Sequence, residues 1–254
     1  MKRTIFLLVA TALLASSCVF QVNIPKRTPI KLSGELSKGV IELPPQVTGV
    51  LLSTFYEMEI IQDPSPRLEY DMPVELYDNM KVEIVDSNVE VCEKVQNAIN
   101  FNLRPSNNGH IKVYLPDIRK IAINGSGDIR CSALESEGLT AGVTGSGDLS
   151  ISNVVCPSFT AIVTGSGDMT VSGIECDEAS ATVTGSGDIS VRGLICNTLR
   201  GRLTGSGDIG FEGKASKAVL EVNGSGDIDA ISLSCEDITR RINGSGDILV
   251  SSYR

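Results

Sequence analysis

Residues 163–183 read VTGSGDMTVSGIECDEASATV and end on the Val with which they begin, one period of 20 later. Inside that period Met169 and Val171, Ile174 and Cys176, and Ala179, Ala181 and Val183 fall into three sets spaced by two, with polar or small residues between them. A spacing of two puts side chains on one face of a strand, so the period holds three short strands and three turns. Outward from this stretch, Gly-Ser-Gly-Asp occurs seven times, its acid at Asp128, Asp148, Asp168, Asp188, Asp208, Asp227 and Asp247. Five intervals are 20 residues long and one is 19.

Aligned on the repeat, the sequence becomes columns. Ile129, Leu149, Met169, Ile189, Ile209, Ile228 and Ile248 follow the Asp, and Cys131, Ile151, Val171, Val191, Phe211, Ala230 and Val250 stand two further on. Next come Leu134, Val154, Ile174, Leu194, Lys214 and Leu233, then Ser136, Cys156, Cys176, Cys196, Ser216 and Cys235. A last set, Leu139, Phe159, Ala179, Leu199, Val219 and Ile238, leads into the Ala and Val positions before the next corner. A 20-residue coil at about 3.3 Å per residue has a perimeter near 66 Å, or roughly 20 Å for each of three faces. Coils stacked about 4.8 Å apart pair every strand with its equivalent above and below. The expected fold is all-β: a parallel β-helix of three short strands per coil, right-handed by the usual chirality of parallel crossovers. An antiparallel meander would need hairpin turns every 8 to 12 residues, and the 20-residue identity of the columns disfavours it.

The Gly-Ser-Gly-Asp segment forms one corner of each coil, its glycines supplying positive φ and close backbone approach. Seven carboxylates in register repel by roughly 1 kcal/mol per neighbouring pair in water, and by more at a partly buried edge. The Ser hydroxyl and Gly N–H groups of the same corner are candidates to offset this, and bound Ca²⁺ is the alternative. Calcium-binding β-rolls repeat every nine residues with Asp on both sides of the ion, whereas one Asp per 20-residue coil fits a structural ladder. No metal or cofactor is therefore expected. Cys156, Cys176 and Cys196 share one inward column within disulfide range, but side chains stacked in the same direction favour free thiols.

The N-terminus is a processing signal. Lys2 and Arg3 precede an apolar run from Ile5 to Leu14 that is too short to span a bilayer, and Leu14-Ala15-Ser16-Ser17-Cys18 has the form of a bacterial lipobox. Residues 1–17 are then the signal peptide, and Cys18 the acylated first residue of the mature chain, held on a membrane by its acyl chains. Residues 18–46, with Pro25, Pro29, Pro44 and Pro45, read as the lipidated Cys and a tether. Losing Lys2 and Arg3 takes the net charge from −9 to −11, which argues against nucleic acid as a partner. Only 4% of residues are aromatic and none is Trp, as expected where stacked aliphatic columns replace a bulky core.

Residues 47–120 lack the repeat but keep strand alternation at Val50-Leu51-Leu52, Tyr56 to Ile60, Lys81 to Ile84 and His110 to Leu115, with a short helix possible from Asn88 to Asn100. They are expected to form a β-rich cap continuous with the seven-coil helix of residues 121–254. The opening TGVLLSTFYEMEII, the strand HIKVYLPDIRKIAINGSGDI and the successive VTGSGDI or VNGSGDI corners resemble the head GIN-domain family of auto-transporter adhesins, from about Val47 to the C-terminus. The resemblance implies a β-helical protein of the bacterial surface or envelope. With Arg254 directly after the last coil, no translocator barrel is expected in this chain.

The expected function is a lipid-anchored, non-catalytic adhesion or scaffold module of the cell envelope. The anchor suggests an outer-membrane lipoprotein on the periplasmic or surface face, with a membrane partner through the lipid and a protein or polymer ligand. A carbohydrate-active β-helix enzyme is the first alternative, and an envelope sensing or lipid-binding protein the second. The enzyme needs paired carboxylates at a set separation, or Asp-bound Ca²⁺ with a basic partner. Here Lys and Arg are scattered, His110 lies in a predicted strand, and Glu175, Asp177 and Glu178 read as a solvated corner.

Overall fold

The structure, a computed structural model, describes residues 33–94 and 109–251. Cys18 and the expected signal peptide of residues 1–17 lie outside the described residues. The chain is a β-solenoid of about seven turns. Its first strands are β1 (Leu36–Glu42), β2 (Gly49–Ser53), β3 (Glu57–Gln62) and β4 (Arg67–Pro73), followed by a helix α1 (Val74–Asn79). Then come β5 (Met80–Val85), β6 (Asn88–Glu93), β7 (His110–Leu115) and β8 (Lys120–Gly125). The regular stack runs through β9 (Asp128–Glu135), β10 (Leu139–Gly145), β11 (Leu149–Val155), β12 (Ser158–Gly165), β13 (Met169–Gly185), β14 (Ile189–Gly205) and β15 (Ile209–Gly224). It ends in β16 (Ile228–Ala230), β17 (Leu233–Ser234), β18 (Asp237–Gly244) and β19 (Ile248–Val250).

In the stack every partner is parallel and one coil away: Leu149 faces Met169, Met169 faces Ile189, and Ile189 faces Ile209. The separate strands expected within a coil fuse at β13, β14 and β15, where pairing continues around the bends. At the first bend Ala133, Asn153, Gly173 and Gly193 all have positive φ, which turns the chain and leaves the next apolar residue pointing inward. The columns that begin with Ile129, Cys131 and Leu134 are buried for most of the stack, so the core is a set of short aliphatic ladders.

One coil departs from the columns as aligned. Arg192 and Gly193 are spanned by Glu212 alone, and the register shifts between Val191 and Leu194. The 19-residue coil thus loses its bend residue, and everything after it moves up by one. Gly213 faces Leu194, Ala215 faces Cys196 and Ala218 faces Leu199, while Lys214 is exposed. The inward positions of this coil therefore belong to Ala215 and Ala218, not to Lys214, Ser216 and Val219. The same coil carries Phe211 in the Val191 column, and the neighbouring inward column answers with Gly201, where a Cβ would stand 2.8 Å from the Phe211 ring. A large residue in one ladder is matched by a missing side chain in the next, which keeps the interior filled without strain.

The N-terminal region stacks on the solenoid. β2 lies parallel under β8, and β3 under β9, so residues 49–62 form a further layer. Beneath it β6 and β7 continue in parallel, and β5 and β4 follow them antiparallel. Part of the expected tether is folded: β1 pairs antiparallel with β4 along its whole length. Among the described residues the helix is α1; the first part of the Asn88–Asn100 segment is β6, and its residues beyond Lys94 lie outside the described residues. Leu76 of α1 is buried, and the Tyr56 hydroxyl, on a fully buried ring, donates to the Leu76 carbonyl at 3.2 Å. This covers the end of the apolar interior, the role of a solenoid cap.

Candidate functional site: the aspartate edge and the thiol trough

The seven corners divide their labour between two glycines. From Gly145 onward the first glycine has φ between +121° and +157°, while the second, from Gly127 to Gly246, is buried against backbone of the coil beneath. The Ser between them is exposed in every corner. Its N–H and that of the second glycine both donate to the first glycine's carbonyl one coil earlier, as Ser186 and Gly187 do to Gly165 at 2.8 and 3.0 Å.

The aspartates of successive corners follow one another along one edge, and main-chain amides offset their repulsion. Asp128 Oδ1 accepts the main-chain N–H of Asp148 at 3.1 Å, and the pattern repeats up the edge to Asp227, which accepts from Asp247 at 2.7 Å. The intervening bonds, Asp168 to Asp148, Asp188 to Asp168, Asp208 to Asp188 and Asp227 to Asp208, are 3.1, 2.9, 2.8 and 2.8 Å long. The partner is thus the amide of the next coil, not the Ser or Gly of the same corner. A charge-assisted N–H bond of this kind is among the stronger ones. Among the described residues no group of three or more His, Cys, Asp or Glu is placed to hold a metal ion.

These bonds separate the acceptor from the charge. Asp188→Asn keeps an acceptor oxygen and removes one charge from a repelling row, so its urea midpoint should match or exceed that of the wild type. Asp188→Ala leaves the Asp208 N–H to water and should cost about 1 kcal/mol. Equal loss in both variants would show that the charge itself holds the edge. Treatment with EDTA should leave the melting temperature unchanged, and a fall of several degrees would place calcium there.

The other feature is a trough of about 1230 Å³ along the third corner, from Gln62 and Arg119 to Glu236. Cys156, Cys176, Cys196 and Cys235 line it, with Ala215 between the last two. Arg119 is held by Asp117 and Glu137, while Val155 and Ile195 stand 51% and 55% exposed. All six described cysteines are free thiols. Burial pushes Cys131 up to about 12 and Cys156 up to about 11. Cys176 and Cys196, register partners in adjacent coils, act on each other, which holds the Cys196 thiol below its ordinary value and raises that of Cys176. The aligned sequence puts Cys156, Cys176 and Cys196 in one column, but the trough they line appears only once the coils are stacked. His110 is exposed in β7, and Glu175, Asp177 and Glu178 are exposed at the trough corner, Glu178 lying 3.6 Å from Arg200.

A capped parallel β-solenoid whose corners repeat Gly-Ser-Gly-Asp, with one edge zipped by carboxylate-to-amide bonds, defines the class of protein. The profile of the family described as "Putative auto-transporter adhesin, head GIN domain" matches residues 48–210 and 153–253, and the chain belongs to that family. No protein of curated function matches it. Among solved structures it is similar to an adhesin so described from Bacteroides fragilis, at 20% identity and a TM-score of 0.74 over 86% of this chain and 98% of the other. It is also similar to a protein from Parabacteroides distasonis described as lipid binding, at 20% identity and a TM-score of 0.72 over 87% and 100%. An adhesin so described from Parabacteroides merdae shares 16% identity and a TM-score of 0.58 over 87% and 98%. At these identities the likeness shows the fold alone.

Proposed function

We propose that this chain is a non-catalytic adhesion or scaffold module of the bacterial cell envelope, lipid-anchored through Cys18 as an outer-membrane lipoprotein. The observation that carries the reading is the outer surface of the stack. Thr140, Thr160 and Ser180 follow one another in register, as do Ser150, Thr170 and Ser190, giving rows of short polar groups on a rigid frame. Such rows suit contact with an extended protein or polymer, and the family's adhesin name supports the same reading and a surface or envelope location. Solid-phase binding of the purified chain to immobilised matrix proteins and envelope polysaccharides tests it, with saturable binding to one of them expected. Depolymerisation of a polysaccharide, abolished by substituting a ladder Asp, would overturn it in favour of an enzyme. The anchor is tested separately: cells fed labelled palmitate should label the wild type and not Cys18→Ser.

Lipid binding is a second reading. The exposed Val155 and Ile195 beside the trough favour it, together with the name of the similar Parabacteroides distasonis protein. Flotation of the Cys18→Ser chain with phospholipid vesicles separates the two readings, since only a lipid-binding solenoid would rise with vesicles once its own acyl chains are gone.

A further inference from the structure

We propose that Cys176 and Cys196 are a redox-active dithiol that reacts with low-molecular-weight disulfides and closes to a disulfide linking two adjacent coils. The two are register partners in β13 and β14. Strands stacked about 4.8 Å apart bring their Cα atoms within the range of about 4.4–6.8 Å that a disulfide spans. Both side chains line the open trough, which admits a small reagent.

The other thiols are arranged differently. The Cys156 S–H is turned to the Ser158 carbonyl at 3.2 Å, and that of Cys235 to the Asp237 carbonyl at 3.5 Å. Ala215 separates Cys235 from Cys196 by a full coil, and Cys131 is buried in another column. Of the four thiols along the trough, Cys176 and Cys196 are the two that face each other as register partners. Stacked side chains that point the same way are a poor starting geometry for a disulfide, and the direct register pairing of Cys176 with Cys196 is what sets this pair opposite each other.

The chemistry balances without a metal or cofactor. The Cys196 thiolate attacks one sulfur of the small disulfide RSSR, forming a mixed disulfide and releasing RS⁻, which takes up a proton. Cys176 then gives up its proton and attacks the Cys196 sulfur, breaking the mixed disulfide and releasing the second RS⁻. Two protein thiols are oxidised by two electrons, and one RSSR is reduced to two RSH. Thiolate character favours Cys196 as the attacking group and leaves Cys176 to resolve the adduct.

Incubating the purified full chain with oxidised glutathione, blocking the remaining thiols and cleaving on the amino side of aspartate tests this directly. The corner aspartates place Cys176 in the peptide 168–176 and Cys196 in the peptide 188–207, with Cys131 and Cys156 in peptides of their own. The expected result is one linked pair, 168–176 with 188–207, while Cys131, Cys156 and Cys235 carry the blocking group. Cys176→Ser should trap glutathione on Cys196, whereas Cys196→Ser should leave Cys176 free to be blocked. Closing a 20-residue loop should raise the melting temperature by about 5 °C or more, reversibly with dithiothreitol. Blocking of both Cys176 and Cys196 in the treated wild type, or a link from Cys156 to Cys176, would overturn the proposal. The wild-type peptide map decides even if a serine variant fails to fold.

Discussion

Gly187→Ala should destabilise the protein by about 3 kcal/mol or more, against a change within about 0.5 kcal/mol for its neighbour Ser186→Ala. Gly187 is buried, and a Cβ there would overlap the carbonyl oxygen of Gly167 in the coil beneath, with Val163 Cγ1 at 3.0 Å. The obstacle is backbone, so no rotamer change relieves it. Moving the two coils apart would break the bonds from Ser186 and Gly187 to the Gly165 carbonyl and loosen the Asp188 to Asp168 bond beside them. Ser186 is exposed, and losing its hydroxyl disturbs none of these. Urea unfolding followed by circular dichroism measures both, and equal midpoints would refute this account of the corner.

The second large effect concerns the period. Deleting residues 169–188 joins Asp168 to Ile189 and leaves every column in phase, because Met169 and Ile189 occupy equivalent places one coil apart. The shortened chain should keep its β-sheet spectrum and a cooperative transition, with the stability of one coil and its interface removed. Deleting only residues 169–178 sets a corner beneath a trough position and turns the inward columns out of phase for all that follows. That chain should lose its cooperative transition or aggregate. Circular dichroism and size-exclusion chromatography separate the outcomes, and equal behaviour of the two deletions would refute the stacking rule.

Much of this was legible in the residues because a coil repeats its chemistry at each level. Ile189 is inward for the same reason as Met169 and Ile209, and reading down a column is reading along the core. The 19-residue coil was legible as a missing residue but not as a place. The loss falls at the Gly193 bend, and only pairing shows that Ala215 and Ala218 then occupy the positions that counting in 20s gives to Ser216 and Val219. Strand β1 was hidden for a different reason. Leu36 and Val40 are 49% and 57% exposed, so the segment has no buried face to announce it, and its partner β4 lies some 30 residues away. The aspartate edge was readable as a row of charges, whereas the amide that answers each one belongs to the next coil and has no mark in the local sequence. The thiol trough lies further still from the sequence, since a shared column does not say that the corner it follows opens into a trough.

The bonds that join one coil to the next, from the corner carbonyls to the aspartate edge, run along the long axis of the stack. A pull applied between its two ends therefore loads them in tension, one layer at a time, and each layer that yields pays out 20 residues of chain, or roughly 70 Å of contour. Under such a load the solenoid acts as a shock absorber with nearly equal steps, and the 19-residue coil supplies one slightly shorter step by which its place in the sequence of ruptures can be recognised.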